Sequence, residues 1–280
     1  MKKLTIFLFF VLLNSYFFAN SSDNKDYLYI DWINGRIYSS TRITSKMDYT
    51  FIKDSLAKIN DAKERAKINY YSILKRINMQ DSMSVVDYIE LSSEKSRELF
   101  ALIDSAKLET IRYPSVNSVE IVYYIEMYGD NSLMDIIMKE QKIYTEELKG
   151  YMGYSYNNNY TGIIIDARGK LNTFNDKIMV KIKPSIFLSV RDNEGNLVFN
   201  EYNVLPEVIK NRGMVKYSYD IYEDNFDRVG KHPLRVVAYS AADEDGSILI
   251  VTQNDAKKML ASLQSREAIK NGKIVVVIDR

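Results

Sequence analysis

Few residues in this sequence are of types that do chemistry unaided. There is one histidine, His232, and no cysteine. His232 lies in Gly230-Lys231-His232-Pro233, where the flanking glycine and proline mark a turn ahead of a strand, so a surface turn residue is expected. A zinc site would need Asp or Glu for every remaining ligand, and a Ser-His-Asp arrangement would have only this base to use. Asp192-Asn193-Glu194-Gly195-Asn196 is rich in oxygen ligands. An EF-hand wants carboxylates at loop positions 1, 3 and 5, glycine at 6 and glutamate at 12; the register here fails, which leaves a hairpin turn. Asp243-Glu244-Asp245-Gly246 is an acidic turn, with a weak divalent-ion site as its alternative. Asp166 and Arg168 follow the apolar run Ile163 to Ile165 and precede Gly169. Such a pair at a strand end either clasps a small polar ligand or closes on itself and pins the strand; the structural pair is the favoured expectation. No Walker-type or GxGxxG phosphate loop is present. These residues assign no catalytic group, cofactor or metal site.

Export is the clearest signal. Met1-Lys2-Lys3 precedes an apolar run from Leu4 to Leu13, interrupted by Asn14 and Ser15. Two lysines ahead of about ten apolar residues is the layout of a secretory signal, and the run is shorter than the ~20 residues of a membrane span. Residues 1–19 are expected to be removed, after Ala19 or at Ser21 or Ser22, with an uncleaved anchor as the alternative. The lack of cysteine excludes disulfides and a lipidated N-terminal cysteine. The expected product is periplasmic, soluble or peripherally attached, with no integral membrane span. Of 280 residues about 260 would remain, enough for two modest domains. Losing Lys2 and Lys3 takes 38 basic residues to 36 against 37 acidic ones, a balance with no electrostatic footprint for nucleic acid. Tyrosine occurs 22 times, which suits half-buried strands and wet interfaces.

The elements that must position these residues follow from periodicity. Residues 27–45 read as a β-hairpin turning at Asn34-Gly35, since a two-residue type I′ turn needs positive φ at both central positions. From about Tyr49 to Met79, Ile52, Leu56, Ile59, Ala62, Ala66, Tyr70, Ile73 and Ile77 recur at spacings of 3 or 4. That is one continuous apolar helix face, with Asp48 as its N-cap. Helices are expected over 82–91 and 93–106, then a connection ending at Pro114, a strand over Ser118 to Tyr128 and a helix over Leu133 to Leu148. Gly150 to Asn159 reads as a linker or loop, with a stacking platform built on its tyrosines as the sharper alternative. Beyond Tyr160, strands are expected at 163–165, 181–190, 197–202, 235–239, 248–251 and 274–278, and a helix from Asn254 or Asp255 to about Ser265. Strand, helix, strand at the C-terminus suggests a βαβ crossover. The expected fold class is α+β. An N-terminal α+β domain over 20–149 packs a hairpin with a long amphipathic helix, and a β-rich C-terminal domain over 160–280 ends in a strand-helix-strand unit.

The segment YTGIIIDARG, Tyr160 to Gly169, is similar to a signature in exported bacterial proteins of largely unassigned function. RDNEGNLVFNEY (Arg191 to Tyr202), GMVKYSYD (Gly213 to Asp220), RVGKHPLRVVA (Arg228 to Ala238), IVTQNDAKKML (Ile250 to Leu260) and KIVVVID (Lys273 to Asp279) resemble the same group. Gly35 to Ile77 resembles the exported flagellar protein P and flagellar assembly protein T families. The resemblance implies a non-enzymatic envelope protein, in its narrower form one around the flagellar motor, whose partners are other envelope or basal-body proteins. Self-association into a homo-oligomer is open. Tyr160, Gly162, Asp166, Arg168 and Gly169 carry the signature as structural or partner contacts, and no catalytic residue or cofactor is transferred. The lipidation cysteine usual in flagellar protein P is missing, and Lys170 to Lys183 replaces a proline- and leucine-rich stretch. The alternatives from other classes are a small-ligand module at the domain junction near Asp166 and Arg168, and a hydrolase using paired carboxylates.

Overall fold

The computed structural model describes residues 26–44, 55–80, 83–115, 118–139, 145–154, 158–174, 178–242 and 247–280. The segment read as a secretory signal, the Asp48 cap and the acidic turn at 243–246 lie outside them. The fold is α+β. In the N-terminal half the order is β1 (Asp26–Asp31), β2 (Arg36–Thr44), α1 (Ser55–Leu74), β3 (Asn78–Gln80), β4 (Met83–Ser84), α2 (Val85–Glu90), α3 (Ser93–Asp104), β5 (Lys107–Ser115), β6 (Ser118–Glu126) and α4 (Leu133–Met138). An antiparallel sheet runs β1-β2-β6-β5. Its register sets Ile37, Thr41 and Ile43 opposite Ile125, Ile121 and Val119, so these share one face. Helix α1 lies against that sheet with Ala62, Ala66, Tyr70 and Ile73 buried. The alanines bring the helix backbone close, as their spacing requires.

Four expectations for this half are corrected. The hairpin turns over four residues, Trp32 to Gly35, not two, and of these only Gly35 has positive φ (65°). The Asp31 carboxylate accepts hydrogen bonds from the Ile33 and Asn34 amides at 3.1 and 3.0 Å and from Asn34 Nδ2 at 2.7 Å. An aspartate-capped turn therefore replaces the type I′ geometry. Helix α1 ends at Leu74 rather than near Met79, because residues 78–80 are drawn into strand pairing. Helix α4 ends at Met138, and residues 145–150 have no regular structure. Pro114 lies inside β5, an edge strand, where a missing N–H costs no ladder bond. Because β5 is exposed along most of its length, it shows no apolar alternation by which it could be found.

The C-terminal half continues with β7 (Ile163–Asp166), β8 (Lys170–Asn172), β9 (Met179–Lys181), β10 (Ser189–Asp192), β11 (Leu197–Phe199), α5 (Pro206–Arg212), β12 (Lys216–Ser218), α6 (Phe226–Val229), β13 (Leu234–Val237), β14 (Ser240–Ala241), β15 (Ile248–Val251), α7 (Gln253–Ala261), α8 (Leu263–Lys270) and β16 (Ile274–Val277). One sheet, β12-β16-β7-β13, is parallel throughout. A second, β11-β10-β15-β14, is mixed. The strand expected over 181–190 is two strands, β9 and β10, separated by irregular chain. The single helix expected after Asn254 is two, because Ser262 is extended (φ −104°, ψ 152°) and its hydroxyl caps α8 through the Ser265 amide. Strand, helix, strand is present in order, but β15 and β16 belong to different sheets. Helices α7 and α8 therefore carry the chain from one sheet to the other, and β15 and β16 do not form a same-sheet βαβ crossover.

The halves share one continuous apolar core. Strand β3 lends its carbonyls to the irregular segment before β10, with the Ile186 and Phe187 amides donating to Asn78 and Met79 at 2.9 Å. Trp32 meets Tyr217 edge-on, centroids 5.5 Å apart. The Tyr128 ring stands between a glycine from each half, where a Cβ on Gly35 would come within 2.6 Å of it and one on Gly213 within 2.8 Å. We expect Tyr128→Ala to cost about 2–4 kcal/mol by removing this wedge, checked by urea unfolding, with Tyr128→Phe close to wild type.

Candidate functional site

The signature residues of 160–169 meet another of the resembling segments, 228–238, at the head of β7. The Thr161 amide donates to the His232 carbonyl at 3.1 Å, the His232 amide donates to Thr161 Oγ1 at 3.0 Å, and that hydroxyl donates to the Val229 carbonyl at 2.7 Å. Gly162 has an ordinary backbone conformation but no room, since a Cβ there would lie 2.5 Å from the Val229 oxygen. Gly230 is the reverse face of the same contact, with φ +73° and a would-be Cβ 2.7 Å from Thr161 Oγ1. His232 takes part through its backbone while its side chain is exposed, as expected of a turn residue. Tyr160 packs partly buried against the core.

At the other end of β7, Arg168 closes on Asp166 through both carboxylate oxygens, Nε to Oδ1 at 2.8 Å and Nη2 to Oδ2 at 2.7 Å. The guanidinium holds the Asp166 carboxyl below its usual range against a smaller opposing effect of burial. The Gly169 amide donates to Asp279 at 3.1 Å, and Asp279 pairs with Lys181 at 3.4 Å. Gly169 has φ +82° and open space around it, so conformation, not crowding, explains the residue. This loop ties the ends of two neighbouring parallel strands, β7 and β16, and its two charges face each other instead of a pocket.

Asp192 opens a hairpin turn. Its buried carboxylate accepts from the Glu194 and Asn196 amides and from Asn196 Nδ2, each at 2.9 Å, and from the Tyr151 hydroxyl at 2.8 Å. Burial by itself would raise this carboxyl, but those donors hold it below the usual aspartate range. Tyr151, from the segment read as a linker, is thereby fastened to the C-terminal half, and Lys257 lies 5.8 Å from its ring centre. Among the described residues no cluster of three or more His, Asp or Glu is placed to hold a metal ion. A groove of about 410 Å³ between α3 and α4 is lined by Glu98, Leu102, Ser132, Asp135 and Lys139. Its charges are engaged within the protein, Lys139 with Glu98 and Asp135 with Lys210.

The face of the N-terminal sheet turned away from α1 holds what the sequence pattern did not bring together. Tyr29 stacks on Tyr38 with centroids 4.6 Å apart and planes 8° from parallel, and Tyr38 lies 5.8 Å from Tyr124. Arg36 covers the Tyr124 ring at 4.4 Å, and Glu126 joins Arg36 and Lys107 at 3.4 and 3.5 Å. Tyr29 is 52% exposed, and its hydroxyl is pushed up to about 12 by burial, then by Tyr38, Asp31 and Glu109. The available signal was the alternation of Tyr27 and Tyr29, but only the cross-strand register shows which tyrosines meet. Leu108 and Tyr113 on edge strand β5 are 50% and 65% exposed.

These features define a strand-rich module with a polar, aromatic sheet surface. Residues 162–280 match the family model of the second domain of Tp0624 from Treponema pallidum. The match begins at the crowded glycine and spans the parallel sheet. Comparison with the curated proteins gives no match. No helix among the described residues is long and apolar enough to cross a membrane.

Two outcomes follow. Gly162→Ala should cost at least about 1–3 kcal/mol by overpacking against Val229, whereas Gly169→Ala should cost about 1 kcal/mol through its positive φ; chemical denaturation separates them. Asp192, held below its unfolded value, contributes stability above the ordinary aspartate range that is lost as pH falls through the folded value. Asp192→Asn should therefore lower the melting temperature at neutral pH and flatten its decline below about pH 4, read by thermal melts across pH.

Proposed function

We propose that this protein is a non-enzymatic component of the bacterial envelope that acts by binding other proteins. The observation that carries the reading is the large exposed side chains on the edge strands of the β1-β2-β6-β5 sheet, Tyr29 on β1 and Leu108 and Tyr113 on β5, beside stacked tyrosines and ion pairs. Sheet edges recognise extended segments through main-chain hydrogen bonds, and tyrosine offers large contact area at low entropic cost. Export to the periplasm, with soluble or peripheral attachment, rests on the leader-like pattern of residues 1–19. The flagellar basal body as the setting is the narrower proposal and rests on the resemblance of residues 35–77. A small-ligand role for Asp166 and Arg168 is not favoured, because each neutralises the other.

The test is capture of tagged protein from cross-linked envelope extracts followed by mass spectrometry. Enrichment of one defined set of envelope proteins is expected, with basal-body components among them if the narrower setting holds. Repeated recovery of the bait alone would overturn the protein-binding reading.

A further inference from the structure

The pair of strands β8 and β9 has two unlike faces. Lys170 pairs with Lys181, Leu171 with Val180 and Asn172 with Met179. Side chains alternate between the faces of a strand, so Leu171 and Val180 share the inner face, where both pack against the core. Lys170, Asn172, Met179 and Lys181 share the outer one. The pair is fastened to the body just beyond β8. The Thr173 amide donates to the Ile178 carbonyl at 2.7 Å, the Phe174 amide donates to the Ala241 carbonyl at 2.9 Å, and Thr173 is buried. Phe174 and Ile178 are nonetheless each 46% exposed and Met179 is 57% exposed. Residues 175–177 lie outside the described residues.

The other end of the same surface is basic. Lys170 and Lys181 stand directly opposite one another, and like charges so placed destabilise a strand pair. Asp279 lies 3.4 Å from Lys181, whose side chain stays 56% exposed, and the same carboxylate also accepts from the Gly169 amide. Asp166, at the end of β7, is taken up by Arg168. Beyond β9 the exposure continues to alternate, with Ile182 buried and Lys183 exposed, which adds a third ammonium. Three lysines at one end and an exposed phenylalanine, isoleucine and methionine at the other make one amphipathic surface on a firmly held pair of strands. From Lys170 to Phe174 the strand rise separates the two ends by about 13 Å.

Deepening the peripheral attachment proposed above, we propose that the outer face of β8 and β9 docks on the surface of an anionic lipid bilayer. Phe174, Ile178 and Met179 enter the boundary between headgroups and acyl chains. Lys170, Lys181 and Lys183 lie against lipid phosphates, which relieve the opposition of Lys170 and Lys181. Clustered lysines are drawn to anionic lipid, and their stems cover apolar surface while the ammonium groups stay at the polar level. Exposed apolar side chains with a polar rim mark a contact surface. Hot spots of a protein interface sit instead in well-packed pockets, and the grooves at α3 with α4 and at 145–148 with α8 include none of these residues.

The test is co-sedimentation with vesicles of phosphatidylcholine alone or mixed equally with phosphatidylglycerol. The full chain and the chain from Asn20 are both used, each checked for folding by thermal melting, so that the apolar run Leu4 to Leu13 is not mistaken for this surface. Partitioning onto the anionic vesicles should exceed that onto the neutral ones roughly tenfold or more and should fall as salt is raised. Each lysine near an anionic surface is worth about fivefold, so Lys170→Glu with Lys183→Glu should lower partitioning by at least about tenfold. Phe174→Ser with Met179→Ser should also lower it while keeping the salt dependence. Lys231→Glu, at the opposite end of β7, should leave it unchanged. No binding, equal binding to the two vesicles, binding by the full chain alone, or an equal loss in Lys231→Glu would each overturn the proposal. So would capture of an acidic protein that the paired lysine variant abolishes while no vesicle is bound. If vesicles are not bound and envelope capture still recovers partners, the membrane face falls and the protein-binding reading stands. If capture recovers only bait while vesicles bind as described, the membrane face stands without that reading.

Discussion

The C-terminal half depends on covering both faces of one strand. Strand β7 has parallel neighbours on each side, β13 and β16, and offers no polar edge. Ile163 and Ile165 enter the main core, while Ile164 meets Val229, Val275 and Val277 in a smaller cluster on the other face. A parallel sheet needs cover on both faces, and the second is reached by bringing the chain around Val229 against the head of the strand. That approach admits no side chain at Gly162 and requires a left-handed turn at Gly230. Two segments distant in sequence are thus bound to one contact.

The same constraint sets where charge is permitted. Arg228, next to Val229, is buried, and its guanidinium donates to the Arg212 and Gly213 carbonyls at 3.1 and 2.8 Å, at the end of α5. Burial lowers it to about 10, with Arg212 adding in the same sense, yet it stays cationic near neutral pH. Helix-terminal carbonyls supply the compensating partial charge. Elsewhere, Asp166 with Arg168 and Asp279 with Lys181 hold strand ends. Much of the ionisable chemistry on this half is thereby architectural.

The N-terminal sheet solves a different problem. One face is covered by α1, and the other is polar yet largely buried at its centre, so its polar groups must be paired. Hydroxyls, tyrosines and crossed ion pairs do this, including Glu120, 3% exposed, which accepts from Ser40 at 2.9 Å and lies 3.9 Å from Arg42. Contacts across the joint, with Trp32 on Tyr217 and Tyr128 between Gly35 and Gly213, hold this sheet on the C-terminal half. A surface mounted on a rigid body loses less conformational freedom on binding than a free hairpin would.

Periodicity and turn chemistry by themselves determined the α+β class, the long helix through Ala62, Ala66 and Tyr70, and the strands around Ile121, Ile164, Leu249 and Val276, because burial of a face writes a repeat into the residues. They also determined that His232 lies in an exposed turn and that Asp192 opens a hairpin, since glycine, proline and asparagine act locally. Element ends were less legible: α1 stops at Leu74 because residues 78–80 are taken up by pairing with another segment. Strand β5 was illegible because an exposed edge carries no apolar alternation. The sheet membership of β15 and β16, the stack of Tyr29 on Tyr38, and the pairing of Lys170 with Lys181 were decided only by tertiary structure. Each depends on which strand lies beside which, and non-local pairing leaves no local pattern to read.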